Sequence, residues 1–177
     1  ELRHRLVALI GDAARSVTIA TYHGFAARLC GRSFADRGAR SAVSDNELKE
    51  LLEEAVRTLE LGADELDKEA RRDELLAGYR YVLVDEYQDI DDVQYRLIAA
   101  LAKGGTGKGV ERQQQLRLMA VGDDDQSIYG FRHASVEFIR RFEEDYDAER
   151  HALTDNYRSS AAIVAVSNAV IAANRDR

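Results

Sequence analysis

Residues 81–89 have the sequence Tyr-Val-Leu-Val-Asp-Glu-Tyr-Gln-Asp, in which four apolar or aromatic residues lead into two adjacent carboxylates. A continuous apolar run of this length is typical of a strand that is covered on both faces. Ligands of open parallel α/β sheets bind at the carboxyl ends of such strands. The sequence therefore predicts a buried strand over 81–84 that presents Asp85 and Glu86 to a ligand.

The two adjacent carboxylates repel each other unless a cation or a shared proton offsets their charge. A magnesium ion that carries substrate phosphates meets this need, because Mg²⁺ prefers oxygen ligands and is usually held by one or two carboxylates. The alternative is a strand that ends in a solvated acidic turn. Residues 81–89 alone do not decide between the two.

Composition restricts the class of protein. The chain has 177 residues, a net charge of -7 and a hydrophobic fraction of 45%, which is typical of one globular domain that carries an insertion. No apolar run is long enough to cross a membrane and no signal-peptide pattern is present, so a cytoplasmic location is expected. The negative charge argues against a protein that coats nucleic acid, so any such contact is expected to be local.

Helical and strand patterns alternate along the chain. Helices are expected at about 1–14, 22–31, 45–62, 63–77, 92–102, 135–142 and 160–174, the third after a capping-box pattern at Ser44 and Glu47. Strands are expected at about 16–21, 81–84, 116–121 and 151–154, with loops at 33–44 and 104–109. This alternation implies an α/β fold with a mainly parallel sheet flanked by helices, and a small helical insertion near 34–78.

A second acidic cluster closes the strand expected at 116–121. Residues 118–132 have the sequence Leu-Met-Ala-Val-Gly-Asp-Asp-Asp-Gln-Ser-Ile-Tyr-Gly-Phe-Arg. Because parallel strands end at the same edge of a sheet, Asp85, Glu86 and the turn at 123–126 are expected to face one ligand. Gln126 is suited to contact a phosphate oxygen and orient a water. Aromatic residues beside an arginine, as at 129–132, suit stacking on exposed bases, although such aromatics more often belong to a core.

A third cluster, residues 153–160, has the sequence Leu-Thr-Asp-Asn-Tyr-Arg-Ser-Ser and lies at an expected strand-to-helix junction. Arg158 can direct a guanidinium at a γ-phosphate, and Ser159 or Ser160 can cap the following helix. Taken alone, this cluster is explained by an ordinary capped helix start. Together with the other two clusters, it favours the interpretation that the protein is a nucleoside triphosphatase.

The order of these motifs resembles that of the UvrD/Rep family of superfamily 1 DNA helicases. Residues 85–89 resemble motif II, the Walker B element, residues 121–132 resemble motif III, and residues 156–159 resemble motif IV. The segment 21–25, Thr-Tyr-His-Gly-Phe, resembles the family's Thr-Phe-His-Ser-Phe. His133 stands where the family commonly has glycine.

The resemblance implies a partial RecA-like P-loop NTPase domain over 1–33 and 79–177, with 34–78 in place of the family's 1B insertion. The Walker A loop and the second motor domain are expected outside these 177 residues, since the glycine-rich run 104–109 lacks the spacing of a P-loop. The implied activity is an ATP-dependent helicase that moves along single-stranded DNA and unwinds duplex in repair, replication or recombination.

For the nucleotide, the resemblance implies that Asp85 holds Mg²⁺ and that Glu86 is the general base that activates the attacking water. Gln126 would contact the γ-phosphate of ATP and couple it to DNA. Tyr157 would stack on adenine, and Arg158 would act as an arginine finger.

For DNA, the resemblance implies that Tyr129 and Phe131 stack on single-stranded bases, with Arg132 near the strand. Thr21 and His23 would lie along the DNA path, although His23 is equally well explained as a polar residue at a helix start. Expected partners are single-stranded DNA, its junctions with duplex, and the remainder of the helicase chain.

Two other classes of protein remain open. One is a non-catalytic domain in which a decayed helicase scaffold only binds DNA or a protein partner. The other is a nuclease or phosphatase that uses the Asp clusters as a two-metal site. Neither alternative requires Gln126 and Arg158, which the helicase interpretation uses.

Overall fold

The computed structural model describes residues 2–32, 44–102 and 116–173, and the chain divides into two units, residues 1–77 and 78–177. The loop expected at 104–109 lies outside the described residues, as does the loop expected at 33–44 except for Ser44. No helix within the described ranges is long and apolar enough to span a membrane. The division into a domain of 1–33 with 79–177 and an insertion of 34–78 stays a prediction.

The first unit is helical in its described residues. Its elements are α1 (Leu2–Ile10), a 3₁₀ helix (Gly11–Ser16), α2 (Tyr22–Leu29), α3 (Asp45–Leu59) and α4 (Glu65–Leu75). Helices α2 and α3 pack together, and their buried side chains are Ala26, Ala27, Leu29, Leu51, Leu52, Ala55, Val56 and Leu59. These positions recur at helical spacing, so each helix buries one stripe and leaves its charged face in solvent.

Two expectations for the first 21 residues were wrong. The helix expected at 1–14 is α-helical only to Ile10, because Gly11 adopts a left-handed backbone with φ 58° and the chain continues as a 3₁₀ helix. The strand expected at 16–21 is not formed. Val17 and Thr21 have extended backbones, but the segment pairs with no other strand among the described residues, and Val17 and Ile19 are exposed.

The start of α3 confirms the capping-box prediction. The backbone N–H of Glu47 donates to Ser44 Oγ (3.3 Å), and the backbone N–H of Ser44 donates to Glu47 Oε2 (2.9 Å). These two bonds satisfy N–H groups that have no partner within the helix. The cap therefore fixes where the best-packed helix of the first unit begins.

Ser44→Ala is expected to lower the free energy of unfolding by about 0.5–2 kcal/mol, the usual cost of losing an N-cap side chain. Ser44→Thr keeps an oxygen in place and should recover most of the loss. Urea unfolding followed by circular dichroism measures both. Equal stability of the alanine and threonine variants would contradict a stabilising role for the cap.

The second unit is built around two parallel strands, β1 (Tyr81–Val84) and β2 (Arg117–Ala120). Val84 is the register partner of Ala120, so the two strands end side by side. Between them along the chain lie a 3₁₀ turn (Tyr87–Asp89) and α5 (Asp92–Ala102). The strand and helix bounds agree closely with those predicted at 81–84, 92–102 and 116–121.

The prediction that β1 is covered on both faces was wrong for the described residues. Val84 is buried, but Leu83 on the opposite face is 70% exposed, and its register partner Met119 is also exposed. A continuous apolar run indicates a strand without showing which of its faces is packed. The sheet described here is therefore parallel, two-stranded and covered on one face only.

The remainder of the second unit contains short helices. They are 3₁₀ turns at Asp124–Gln126 and Gly130–Arg132, then α6 (Glu137–Arg140), α7 (Phe142–Tyr146) and α8 (Ala161–Ile171). The single helix expected at 135–142 is thus replaced by two. The strand expected at 151–154 was also wrong, because these residues pair with no strand in the described part of the chain and Leu153 is exposed.

Candidate functional site

The chain leaves β1 through an unusual backbone turn. Glu86 has φ 52° and ψ 48°, the left-handed region that residues with a side chain rarely adopt. Its backbone N–H donates to Asp85 Oδ1 (3.0 Å), and its carbonyl accepts from the N–H of Asp89 (3.0 Å). A non-glycine residue in such a conformation costs about 1–3 kcal/mol and persists only where its surroundings enforce it.

The surroundings of Glu86 supply that constraint. Tyr87 is fully buried, and its backbone N–H donates to the carbonyl of Val121 at the end of β2 (3.0 Å). The Tyr87 ring contacts Phe142 edge-on, with centroids 5.0 Å apart. Because Tyr87 is anchored on both its backbone and its side chain, Asp85 and Glu86 are held at the surface.

Gln88 joins the ends of the two strands. Its side chain is buried, its Nε2 donates to Glu86 Oε2 (2.8 Å), and its Oε1 accepts from the backbone N–H of Asp123 (3.1 Å). Ser127 Oγ donates to the carbonyl of Gln88 (3.4 Å). No role for Gln88 was predicted from the sequence, although it lies between Glu86 and Asp89 and follows the buried Tyr87.

The turn after β2 is held by its own side chains. Gln126 Nε2 donates to Asp123 Oδ2 (2.6 Å), and the backbone N–H of Asp125 donates to Asp123 Oδ1 (3.1 Å). Carboxylate oxygens of Asp123, Asp124 and Asp125 lie within 4.8 Å of one another. Asp124 pairs with Arg140 at 3.4 Å, so protein partners of Asp123 and Asp124 explain the cluster without an ion.

The expectation that the two acidic strand ends meet is confirmed. Parallel pairing places Val84 beside Ala120, and a continuous set of hydrogen bonds runs from Glu86 through Gln88 and Asp123 to Gln126. Glu86 and Gln126 therefore lie at one edge of the sheet and are connected through the buried Gln88 amide and Asp123.

Asp89 borders this network. Burial, and then the negative charge of Glu86, raise the pKa of the Asp89 carboxyl. Gln88 Nε2 also lies 3.5 Å from Asp89 Oδ2. The same amide therefore faces two carboxylates, and the closer one is Glu86.

The aromatic pair of the second cluster lies at the surface. Phe131 is 79% exposed and Tyr129 is 38% exposed, with ring centroids 6.0 Å apart. Arg132 is also exposed and is the last residue of the 3₁₀ turn that contains Phe131. His133 follows with φ 68°, a backbone that favours glycine. The exposure of Phe131 excludes a core role in this unit and leaves its ring accessible to a ligand.

The third cluster is organised by a residue that the sequence analysis did not single out. Asn156 Oδ1 accepts the backbone N–H groups of Arg158 (3.0 Å) and Ser159 (2.8 Å). Ser160 occupies the N-cap position of α8, as expected, but its side chain makes no capping hydrogen bond. Tyr157 is 92% exposed and Arg158 is exposed. Asparagine commonly binds the backbone two residues further on in this way, which is the signal that could have identified the turn.

Thr21 and His23 belong to the first unit. Thr21 is the N-cap of α2 and its Oγ1 accepts from the backbone N–H of Gly24 (3.1 Å). His23 lies one residue inside the helix and is half-buried. The capping role belongs to Thr21, and contact of either residue with DNA stays a prediction.

Comparison with known proteins identifies the family. Residues 47–147, more than half of the chain, match the model of the UvrD/REP helicase N-terminal domain. The chain belongs to this family. The match includes both strands and the whole network from Glu86 to Gln126.

Curated relatives agree with that assignment. DNA helicase II of Haemophilus influenzae is 46% identical over 99 residues, which are 56% of this chain and 12% of that protein. DNA helicase II of Escherichia coli is 48% identical over 97 residues, or 54% of the chain and 12% of the relative. ATP-dependent DNA helicase UvrD1 of Mycobacterium bovis is 44% identical over 100 residues, with 56% and 13% covered. The matched part of the chain thus spans about an eighth of each relative's length.

Proposed function

We propose that this chain is part of an ATP-dependent DNA helicase that moves along single-stranded DNA and unwinds duplex at junctions. The observation that carries this proposal is the hydrogen-bonded connection between Glu86 and Gln126 at the ends of two parallel strands. An exposed carboxylate joined to an exposed glutamine suits activation of a water beside a phosphate. The names of the curated relatives, which are ATP-dependent or DNA helicases, support the same activity.

The finer fold assignment is part of the proposal. We infer that residues 1–33 and 79–177 belong to a RecA-like P-loop NTPase domain and that 34–78 form a 1B-like helical insertion. The parallel pairing of β1 and β2, with acidic residues following each strand, supports this inference. The phosphate-binding loop and the second motor domain would come from the remainder of the helicase chain.

The donor set at β1 fits magnesium. Asp85 is exposed, and its Oδ1 accepts the Glu86 N–H while the carboxylate still faces solvent, which suits a cation that takes oxygen ligands and keeps several waters. Bound magnesium would neutralise charge on the phosphate oxygens of ATP. Asp85 is the residue that would hold it.

The chain's own residues would carry out the remaining steps. Glu86 accepts a proton from water as the water oxygen forms a bond to the γ-phosphorus, and the bond to the bridging oxygen breaks to release ADP. Gln126 contacts the γ-phosphate, and the guanidinium of Arg158 neutralises charge that develops on it. Tyr157, whose ring is exposed, stacks on the adenine.

Single-stranded DNA would bind at the exposed aromatic pair. Tyr129 and Phe131 present neighbouring rings to solvent, and Arg132 adds a positive charge beside them. Stacking tolerates any base sequence because every base has a π face. Thr21 and His23, which lie in the first unit, are also proposed to contact DNA.

In the full-length gene product, Phe131→Ala is expected to weaken single-stranded DNA binding by about 1–3 kcal/mol, the value of one stacked base. DNA-stimulated ATP hydrolysis should fall with it, while the thermal unfolding midpoint stays near that of the parent, because Phe131 is exposed. Fluorescence anisotropy with labelled oligonucleotides and a coupled ATPase assay measure the two effects.

Two further variants distinguish the loss of base stacking from a general loss of exposed apolar area as the cause of weaker DNA binding. Phe131→Trp should retain DNA binding, whereas Ile128→Ala, which removes an exposed apolar side chain nearby, should leave it unchanged. An ATPase that single-stranded DNA does not stimulate, even in the parent protein, would contradict the helicase proposal itself.

A further inference from the structure

Gln88 is the buried polar side chain at the centre of the site. It is 1% exposed, and its amide lies between the Glu86 carboxylate and the backbone N–H of Asp123. We propose that Gln88 is a positioning residue, which orients the Glu86 carboxylate for proton transfer and fixes it relative to the turn that carries Gln126. This inference rests on the proposed role of Glu86 as general base.

The partners of Gln88 determine how its amide is oriented. The Glu86 carboxylate can only accept when ionised, so it must face the amide nitrogen, and the Asp123 N–H can only donate, so it must face the amide oxygen. With both ends of the amide used, a rotated amide would place oxygen against carboxylate and N–H against N–H. The geometry therefore permits one arrangement, and that arrangement points the amide N–H at Glu86.

Close packing at Gly122 keeps Gln88 in this position. A Cβ built on Gly122 would lie 2.6 Å from Gln88 Oε1 and 2.7 Å from Ile139 Cδ1. Any side chain at 122 would displace the Gln88 amide or its neighbour. The glycine, two residues beyond β2, thus allows the backbone at this point to approach the buried amide.

The backbone of Glu86 explains why such a residue is needed. Its left-handed conformation directs the side chain out of β1 at a point where the carboxylate is exposed, and an exposed glutamate otherwise samples several rotamers. The bond from Gln88 Nε2, at 2.8 Å, selects one of them. Holding a reacting group in place to within a fraction of an ångström is a recognised source of rate enhancement.

The hydrogen bonds continue beyond Asp123. The backbone N–H of Asp123 donates to Gln88 Oε1, and Asp123 Oδ2 accepts from Gln126 Nε2. Gln88 therefore links the strand end that carries the proposed base to the strand end that carries the proposed γ-phosphate contact.

The test uses Gln88→Glu in the full-length gene product. Glutamate has the same shape and still accepts from the Asp123 N–H, but it replaces the amide N–H that faces Glu86 with a carboxyl oxygen. An ionised glutamate would repel Glu86, and one that shared a proton with Glu86 would make that carboxylate less able to accept a proton from water. Single-turnover ATP hydrolysis is expected to slow about 10- to 100-fold, the range for loss of a hydrogen bond to a charged group. The affinity for magnesium-ATP should stay within about 2-fold, because the hydrogen bonds of the Gln88 side chain go to Glu86, Asp89 and Asp123 and not to the residues proposed to bind magnesium and phosphate.

A matched control makes the same change elsewhere in the second unit. Gln94 accepts from the backbone N–H of Asp91 through Oε1 at the start of α5 (3.2 Å), and glutamate retains that acceptor. Gln94→Glu should therefore leave hydrolysis unchanged. Gln88→Met, which removes the donor without adding charge, should slow hydrolysis as Gln88→Glu does and remains informative if the glutamate variant does not fold. Normal hydrolysis in Gln88→Met would overturn the proposal.

A double-mutant cycle separates positioning from a structural role. In the Glu86→Gln background, Gln88→Glu should slow hydrolysis by less than about 2-fold more, since its effect acts through Glu86. Independent, multiplying effects would overturn the positioning role. If Glu86→Gln is slow while Gln88→Glu is normal, only the inference about Gln88 fails. If Glu86→Gln itself is normal, the proposed function fails and the inference fails with it.

Discussion

Glu86→Gln is expected to lower single-turnover ATP hydrolysis by about 10²–10⁴ in the full-length gene product, the range for losing a general base. Its affinity for magnesium-ATP should remain near normal, because the base acts only when water attacks. The substituted amide has the size of the carboxylate, and its oxygen can still accept from Gln88 Nε2. The variant should therefore fold with the same turn at the end of β1.

Asp85→Ala provides the contrast. Asp85 accepts the Glu86 N–H and is proposed to hold magnesium, so its loss should weaken binding of magnesium-ATP as well as hydrolysis. Titration of a fluorescent nucleotide, with and without magnesium, distinguishes a binding defect from a chemical one. Normal turnover in Glu86→Gln would contradict the mechanism and favour a domain that only binds DNA or a partner.

The sequence predicted the central part of the site because it depends on local and topological rules. A short apolar run between turn signals indicated β1, and a helix between two such runs indicated parallel pairing. Parallel pairing then requires that Glu86 and Asp123 follow the strands at one edge. The register of Val84 with Ala120 confirms this reasoning.

The missed elements depend on partners that are distant in sequence. Residues 16–21 and 151–154 were expected to be strands, but a strand exists only where another backbone supplies hydrogen bonds, which no local pattern specifies. Gln88 was missed for a similar reason, since the N–H that it accepts belongs to Asp123, 35 residues further along the chain. The burial of only one face of β1 likewise depends on packing that its apolar sequence does not encode.

Arg158 lies outside the hydrogen-bond network that joins Glu86 to Gln126. Its backbone N–H is held by Asn156 Oδ1, and its side chain is exposed. Alanine retains the backbone N–H, so Arg158→Ala should preserve the turn and the start of α8. A change in rate in this variant can therefore be attributed to loss of the guanidinium and not to a change in the backbone.

Arg158→Ala is expected to reduce ATP turnover by about 10³-fold or more, the contribution of an arginine finger that meets charge developing in the transition state. Affinity for magnesium-ATP should change much less. Arg158→Lys should restore only part of the rate, because an ammonium keeps the charge but lacks the planar pair of donors that matches a phosphate. Steady-state and single-turnover assays on the three proteins measure these differences.

Arg150→Ala is the matched control, since Arg150 is an exposed arginine of the same unit that pairs with Glu143 at 3.5 Å. Exposed pairs of this kind contribute little to stability, so its turnover should equal that of the parent. A similar loss in Arg150→Ala and Arg158→Ala would indicate a general effect of surface charge. Unchanged turnover in Arg158→Ala, with Glu86→Gln impaired, would remove the arginine from the mechanism while leaving Glu86 as its base.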